Sequence, residues 1–245
     1  MNVTSELIDL GALRCRVFTP VSASPRRWPG VLAYSDIFQH TGPHLRMCTR
    51  LAAHGFVVVA PELYGRLEPS GTVLRFEEDR QRALDDAGRM RLEWFDEDVA
   101  TALLFLRSAP SVDAERLFCC GWCIGGHLAF RAARAPEVKA TVCCYATGLH
   151  SDSLGAAVGT AKSLADAASI RGELLMIWGT RDPHIPKEGR QRIHAALAEA
   201  GTSFQLRTFD AEHTFMRDEG PRWEPVAADE AFQALVDLFR ARTYF

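Results

Sequence analysis

The 245-residue sequence predicts a single α/β domain: a mostly parallel sheet with helices on both faces. Three observations predict it. Strand-length apolar runs alternate with helix-period segments along the whole chain, which is how a parallel sheet is spelled. Two of the runs, Val57-Val58-Val59 and Val142-Cys143-Cys144, are apolar without interruption, as parallel strands buried on both faces are. A chain of this length, 47% apolar and 24% charged, suffices to build one large core, and no internal repeat or low-complexity tract divides it.

Taken in order, strands are expected at 13–19, 30–34, 56–60, 117–121, 140–145, 173–178 and 204–209. The first begins with apolar and basic residues in alternation, and the next two are short apolar runs. The fourth, around Leu117-Phe118-Cys119-Cys120, leads into a glycine-rich turn. The fifth and sixth are again continuously apolar, and Phe204 to Phe209 alternates. Between them, helical patterns occupy about 43–53, 97–106, 124–134, 186–200 and 227–240. The charged, weakly patterned stretch 66–94 reads as a loop with a polar helix near the mouth of a site. The Gly, Ser and Ala-rich stretch 148–160 reads as a second loop over the same edge.

Composition excludes several classes. A net charge of −3 leaves no basic footprint for nucleic acid. No apolar run reaches membrane-spanning length, and the start, Met1-Asn2-Val3-Thr4-Ser5-Glu6, has neither a basic leader nor an apolar signal core. Seven cysteines, an odd number with neighbouring pairs in strands, fit a reducing cytoplasm better than a disulfide framework. Cys120 and Cys123 spell C-x-x-C, but the pair straddles a strand end and has no matching second pair, so neither a redox motif nor zinc is expected. No cofactor is implied, and nothing marks an oligomer seam.

The most informative stretch is Gly121-Trp122-Cys123-Ile124-Gly125-Gly126-His127, between an apolar strand and a helical pattern. Strand, sharp turn and helix with G-x-C-x-G at the turn is a nucleophile elbow carrying sulfur in place of the serine oxygen. Cys123 would sit at a helix N-terminus, where free N–H groups favour a thiolate and a developing oxyanion. A triad then requires an acid and a histidine later in the chain. Asp182 lies just past the 173–178 strand and His213 just past 204–209, at strand ends where open α/β sheets gather their sites. Asp182 would fix the tautomer of His213, which serves as general base and then general acid. Glu188 and Asp210 are weaker rivals for the acid. His40, His44, His54, His150 and His194 read as surface histidines, His127 as pointing away from the thiol, and His184 as an open case beside the pocket.

These residues carry a resemblance. Over nearly its whole length the chain resembles the dienelactone hydrolase (carboxymethylenebutenolidase) family of the α/β-hydrolase superfamily. The matching pieces are Asp36-Ile37-Phe38, residues 55–64, Arg80-Gln81-Arg82, residues 121–126, residues 179–182 and His213 to Arg217. The resemblance implies an α/β-hydrolase fold and a triad of Cys123, Asp182 and His213. It implies oxyanion donors from the backbone N–H of Ile37 and Ile124, and Arg82 and Arg217 holding a substrate carboxylate. It also implies a thiol-regulating acid at Asp36, where the family usually has glutamate. Phe38 and Tyr145 are expected pocket walls, along with Trp122. The chain departs from the family after Arg82, where it reads Leu84-Asp85-Asp86-Ala87-Gly88-Arg89, and after Asp182, where Pro183-His184 follows.

The expected activity is hydrolysis of a small ester or lactone, dienelactone-like and carboxylate-bearing, through a cysteine nucleophile and a thioester. A thiolate is itself a good leaving group, so activated esters and enol lactones suit it better than lipids or peptides. Two alternatives stay open at this point: a reactive-thiol sensing or binding protein without turnover, and a hydrolase of an unrelated activated ester.

Overall fold

The computed structural model describes residues 1–243. Its sheet has eight strands: β1 (Val3–Leu10), β2 (Leu13–Pro20), β3 (Trp28–Tyr34), β4 (Val57–Pro61), β5 (Val112–Trp122), β6 (Val138–Cys144), β7 (Glu173–Gly179) and β8 (Phe204–Phe209). The helices are α1 (Gly42–Ala53), α2 (Arg80–Arg89), α3 (Leu92–Ser108), α4 (Ile124–Ala132), α5 (Lys187–Glu199) and α6 (Pro225–Ala241), with a 3₁₀ turn at Leu164–Ser169. The spatial order is β1-β2-β4-β3-β5-β6-β7-β8. β1 and β2 form an antiparallel hairpin, β2 lies antiparallel to β4, and every pairing from β4 to β8 is parallel.

Side-chain alternation along β5 shows how both faces are covered. Phe118 stacks on Phe239 of α6 at 4.7 Å and meets Phe56 at 6.2 Å. α6 in turn meets α1 through His54 and Phe232, 5.7 Å apart, and through Arg50 and Asp229. On the opposite face α3 and α4 are joined by Asp96 and Arg131. β4 and β6 are almost wholly buried, as their unbroken apolar runs require. β8, an edge strand like β1, is mostly exposed along its length.

Three differences from the sequence reading have physical causes. β1 carries no apolar run, since this edge hairpin strand is mostly solvated and only Val3, Ile8 and Leu10 pack against the core, and it was not expected. β5 begins at Val112, before its apolar stretch, and passes a register shift at Leu117–Phe118 that pattern does not reveal. His40 and His44 are buried rather than on the surface, with rings stacked 5.7 Å apart. Burial pushes the His40 imidazole down to about 4 and His44 lower than usual as well, so both are neutral packing groups.

All seven cysteines are free and buried. In Cys15, Cys48, Cys119, Cys120, Cys143 and Cys144, burial pushes the thiol well above its ordinary range. The sheet order reverses at β3: β4 lies on one side of it and β5 on the other. The crevice beyond the C-terminal ends of β3 and β5 is thus the topological switch point, where α/β sheets bind ligands.

Candidate active site

Cys123 occupies the turn between β5 and α4 with φ 60° and ψ −122°. A left-handed φ strains a non-glycine residue and survives only where surroundings over-determine it. Here they do. Cys123 N–H donates to the Cys144 carbonyl at 3.1 Å, and its own carbonyl accepts from Gly126 N–H at 3.0 Å and Thr147 N–H at 3.2 Å. The flanking glycines are required by closeness of main chains. A Cβ on Gly121 would lie 2.0 Å from the Gly125 carbonyl oxygen, and one on Gly125 2.3 Å from that of Ser35.

Asp182 follows β7 and His213 follows β8. The His213 Nδ1–H donates to Asp182 Oδ2 at 2.7 Å, and the other carboxylate oxygen accepts His184 N–H at 2.8 Å. Burial would raise the Asp182 carboxyl, but the His213 hydrogen bond and charge outweigh it and hold it below the usual range. For His213, burial disfavours the cation. The charge and hydrogen bonding of Cys123, together with Asp182, overcome that and push the imidazole up to about 9. Nδ1 of the buried imidazole is thus committed to Asp182, and Cys123 lies near enough for its charge to bear on the ring. Asp210 is exposed and engaged by Thr180 and Arg181, and Glu188 is exposed on α5, so neither rivals Asp182.

Around His213, Tyr145 sits edge-on to the imidazole at 5.2 Å and to Phe215 at 5.5 Å. His184 also meets the His213 ring, 4.7 Å between centroids. Ile37 lies just beyond β3 and Ile124 is the first residue of α4. Among the described residues neither backbone N–H is spent on a protein acceptor.

Arg217 is mostly buried, its guanidinium 3.9 Å over the Phe76 ring and 5.8 Å from that of Phe38. Its Nη1 is 3.8 Å from Asp36 Oδ2, and its Nε has no partner. Asp36 Oδ1 accepts the Phe38 N–H at 2.9 Å. Burial raises the Asp36 carboxyl, opposed by that N–H, by Arg217 and by His213. The side chain is directed at Arg217 and Phe38, with no hydrogen bond to the sulfur. A small cavity, about 30 Å³, is lined by Asp36, Thr41, Trp122, Tyr145 and Arg217 among others. Trp122 Nε1 and Thr41 Oγ1 are buried there without a partner.

The structure does not bring Arg82 to this group. It is exposed on α2 and ion-paired with the buried Glu68 carboxylate, Nε to Oε1 2.7 Å. Two residues absent from the sequence reading belong to the site: Phe76, from the loop before α2, and Thr147, whose Oγ1 is 3.6 Å from Cys123 Sγ. Thr147 lies just past β6, so the rule that strand ends carry the chemistry would have found it. Nothing local marks Phe76. His127 does point away from the thiol: its Nδ1 bonds the Thr147 carbonyl at 3.1 Å and its Nε2 the Ser163 hydroxyl at 2.7 Å. The larger surface grooves, between β8 and α6 and between α3 and α4, include none of Cys123, Asp182 and His213 in their walls. No group of three or more His, Cys, Asp or Glu among the described residues is arranged to hold a metal, and no helix is long and apolar enough to cross a membrane.

Comparison with known proteins points the same way. A candidate carboxymethylenebutenolidase of Saccharomyces cerevisiae is 34% identical over 213 residues, spanning 84% of this chain and 78% of that protein. The carboxymethylenebutenolidase of a Pseudomonas species is 28% identical over 218 residues, 87% of this chain and 85% of its own. The crystal structure of a candidate dienelactone hydrolase from Klebsiella pneumoniae superposes with a TM-score of 0.77 at 21% identity, covering 98% of this chain and 99% of that one. The sequence model of the dienelactone hydrolase family matches residues 13–243. The chain therefore belongs to the dienelactone hydrolase family of ester and lactone hydrolases.

Proposed function

We propose that this protein hydrolyses small, carboxylate-bearing esters or lactones through a thioester on Cys123, with His213 and Asp182 completing the triad. The observation that carries the reading is the buried His213 imidazole, bonded through Nδ1 to Asp182 at 2.7 Å and subject to the charge of Cys123 on the elbow turn.

The steps follow from the geometry. The Cys123 thiolate attacks the carbonyl carbon, and the C–S bond forms as the carbonyl oxygen becomes an oxyanion. The Ile37 and Ile124 N–H groups, free of protein acceptors, are its donors; losing one such donor costs about 100- to 1,000-fold in rate. On collapse the ester C–O bond breaks, and the leaving oxygen takes the proton of the His213 imidazolium. In a lactone that oxygen stays on the acyl chain. Water then gives a proton to the neutral imidazole and adds to the thioester. Cleavage of C–S returns the electron pair to sulfur and releases the acid. The starting Cys123–His213 pair is thereby restored.

Arg217 is the anion clamp in this reading, its flat face on Phe76 and its N–H edge towards the site. Phe38 and Tyr145 wall the pocket. Arg82 would have to leave Glu68 to take part, and Asp36 would have to turn from Arg217 to act on the thiol. Seven free thiols support residence in a reducing compartment such as the cytoplasm. The test is steady-state hydrolysis of p-nitrophenyl acetate and of a dienelactone by native protein and Cys123→Ala. We expect the variant to lose at least about a thousandfold in kcat. Equal turnover in both proteins would remove the sulfur from the chemistry.

A further inference from the structure

We propose that Thr147 is a catalytic residue: its hydroxyl donates a hydrogen bond to the Cys123 sulfur whenever that sulfur carries negative charge. This happens as the thiolate attacks and again as the thioester breaks. The inference rests on Cys123 as nucleophile, the reading given above.

The geometry is specific. Thr147 Oγ1 is 3.6 Å from Cys123 Sγ, within the range of a hydrogen bond to sulfur. The residue is gripped on both sides of its peptide unit. Its N–H donates to the Cys123 carbonyl at 3.2 Å, and its carbonyl is bonded to His127 Nδ1 at 3.1 Å. A carbonyl only accepts, so His127 Nδ1 carries the proton and Nε2 accepts from the Ser163 hydroxyl at 2.7 Å. Arg131 donates to Ser163 Oγ at 3.0 Å and is itself held by Asp96. Burial pushes the His127 imidazole down to about 3, which keeps this tautomer neutral throughout the working range. The hydroxyl is thus placed by a chain of buried bonds before any substrate arrives.

A donor held in advance against a charge that appears and disappears at one atom is the arrangement by which active sites stabilise developing charge. As the thioester forms, the sulfur loses its charge and the hydroxyl contributes little. As C–S breaks and the electron pair returns to sulfur, the donor is already aimed at it. A valine at 147 keeps the shape and loses the donor; a serine keeps the donor and loses the methyl group.

The experiment measures iodoacetamide alkylation of Cys123, assigned by peptide mapping, against pH for native protein, Thr147→Val and Thr147→Ser. The low-pH limb of the valine variant is expected to move upward by about one pH unit, the scale of a lost hydrogen bond to a charged group. The serine variant is expected to return to the native curve. A valine limb that stays in place, or a serine limb displaced equally, overturns the proposal. A fall in kcat and kcat/KM together on p-nitrophenyl acetate with an unmoved limb also overturns it, because that marks a strut for the loop. Alkylation needs no ester. A native protein that labels at Cys123 but hydrolyses nothing would defeat the hydrolytic reading and still leave the Thr147 comparison decisive.

Discussion

Replacing Cys123 with alanine should change the protonation of a different residue. In the native protein His213 is pushed up to about 9 against the opposing effect of burial, with Cys123 ahead of Asp182 among the groups that raise it. The gap from an ordinary 6.5 is worth roughly 3 kcal/mol in favour of the imidazolium. In Cys123→Ala the burial remains and only Asp182 is left to oppose it. The His213 midpoint should therefore fall by more than one pH unit. Nitrogen-15 NMR of the imidazole between pH 5 and 10 reads this directly. Stability should follow with a definite sign. A histidine that binds its proton more tightly folded than unfolded contributes fully below about pH 6.5, and that contribution is lost as pH rises through 9. Urea titrations should show this loss in the native protein and a smaller one in the variant. A variant imidazole still titrating near 9 would refute the reasoning, since Asp182 alone would then account for the shift.

Other expectations follow from the same coordinates. Gly125→Ala puts a Cβ 2.3 Å from the Ser35 oxygen, so urea unfolding should show a loss of about 3 kcal/mol or more; a loss under about 1 kcal/mol would mean the elbow relaxes freely. Arg217→Ala should raise KM for a carboxylated lactone about ten- to a hundredfold while changing KM for its methyl ester less than about twofold, and equal effects on both would take the anion clamp away from Arg217. Arg82→Ala should leave kcat/KM for both compounds within about twofold, because Glu68 already occupies that guanidinium; a loss confined to the carboxylated lactone would show that the ion pair opens during binding.

The sequence was most readable where backbone geometry dictates residue type. The elbow could be recognised because main chains 2.0 to 2.3 Å from a would-be Cβ admit only glycine at 121 and 125. The strand ends bearing Asp182 and His213 were equally legible, since an apolar run locates β7 and an alternating one locates β8. What could not be read was partnership between side chains. Arg82 and Arg217 look alike as letters, yet one meets Glu68 at the surface and the other lies near Asp36 over the Phe76 ring. Phe76 lies in a turn with no periodicity to reveal that it folds back over Arg217. His40 and His44 carry no mark of burial, because only the packing of α1 on the sheet removes them from water.

The placement of the sulfur atoms has a practical consequence. Six of the seven are sealed inside the sheet and its helix layers, where burial suppresses their ionisation. Toward a water-borne electrophile the native chain thus behaves as a monothiol, with Cys123 as its handle. Dyes or spin labels would attach at a stoichiometry of one without deleting any other cysteine. Any rise in that count under stress would report the sheet coming apart, making label stoichiometry a gauge of intactness that needs no substrate.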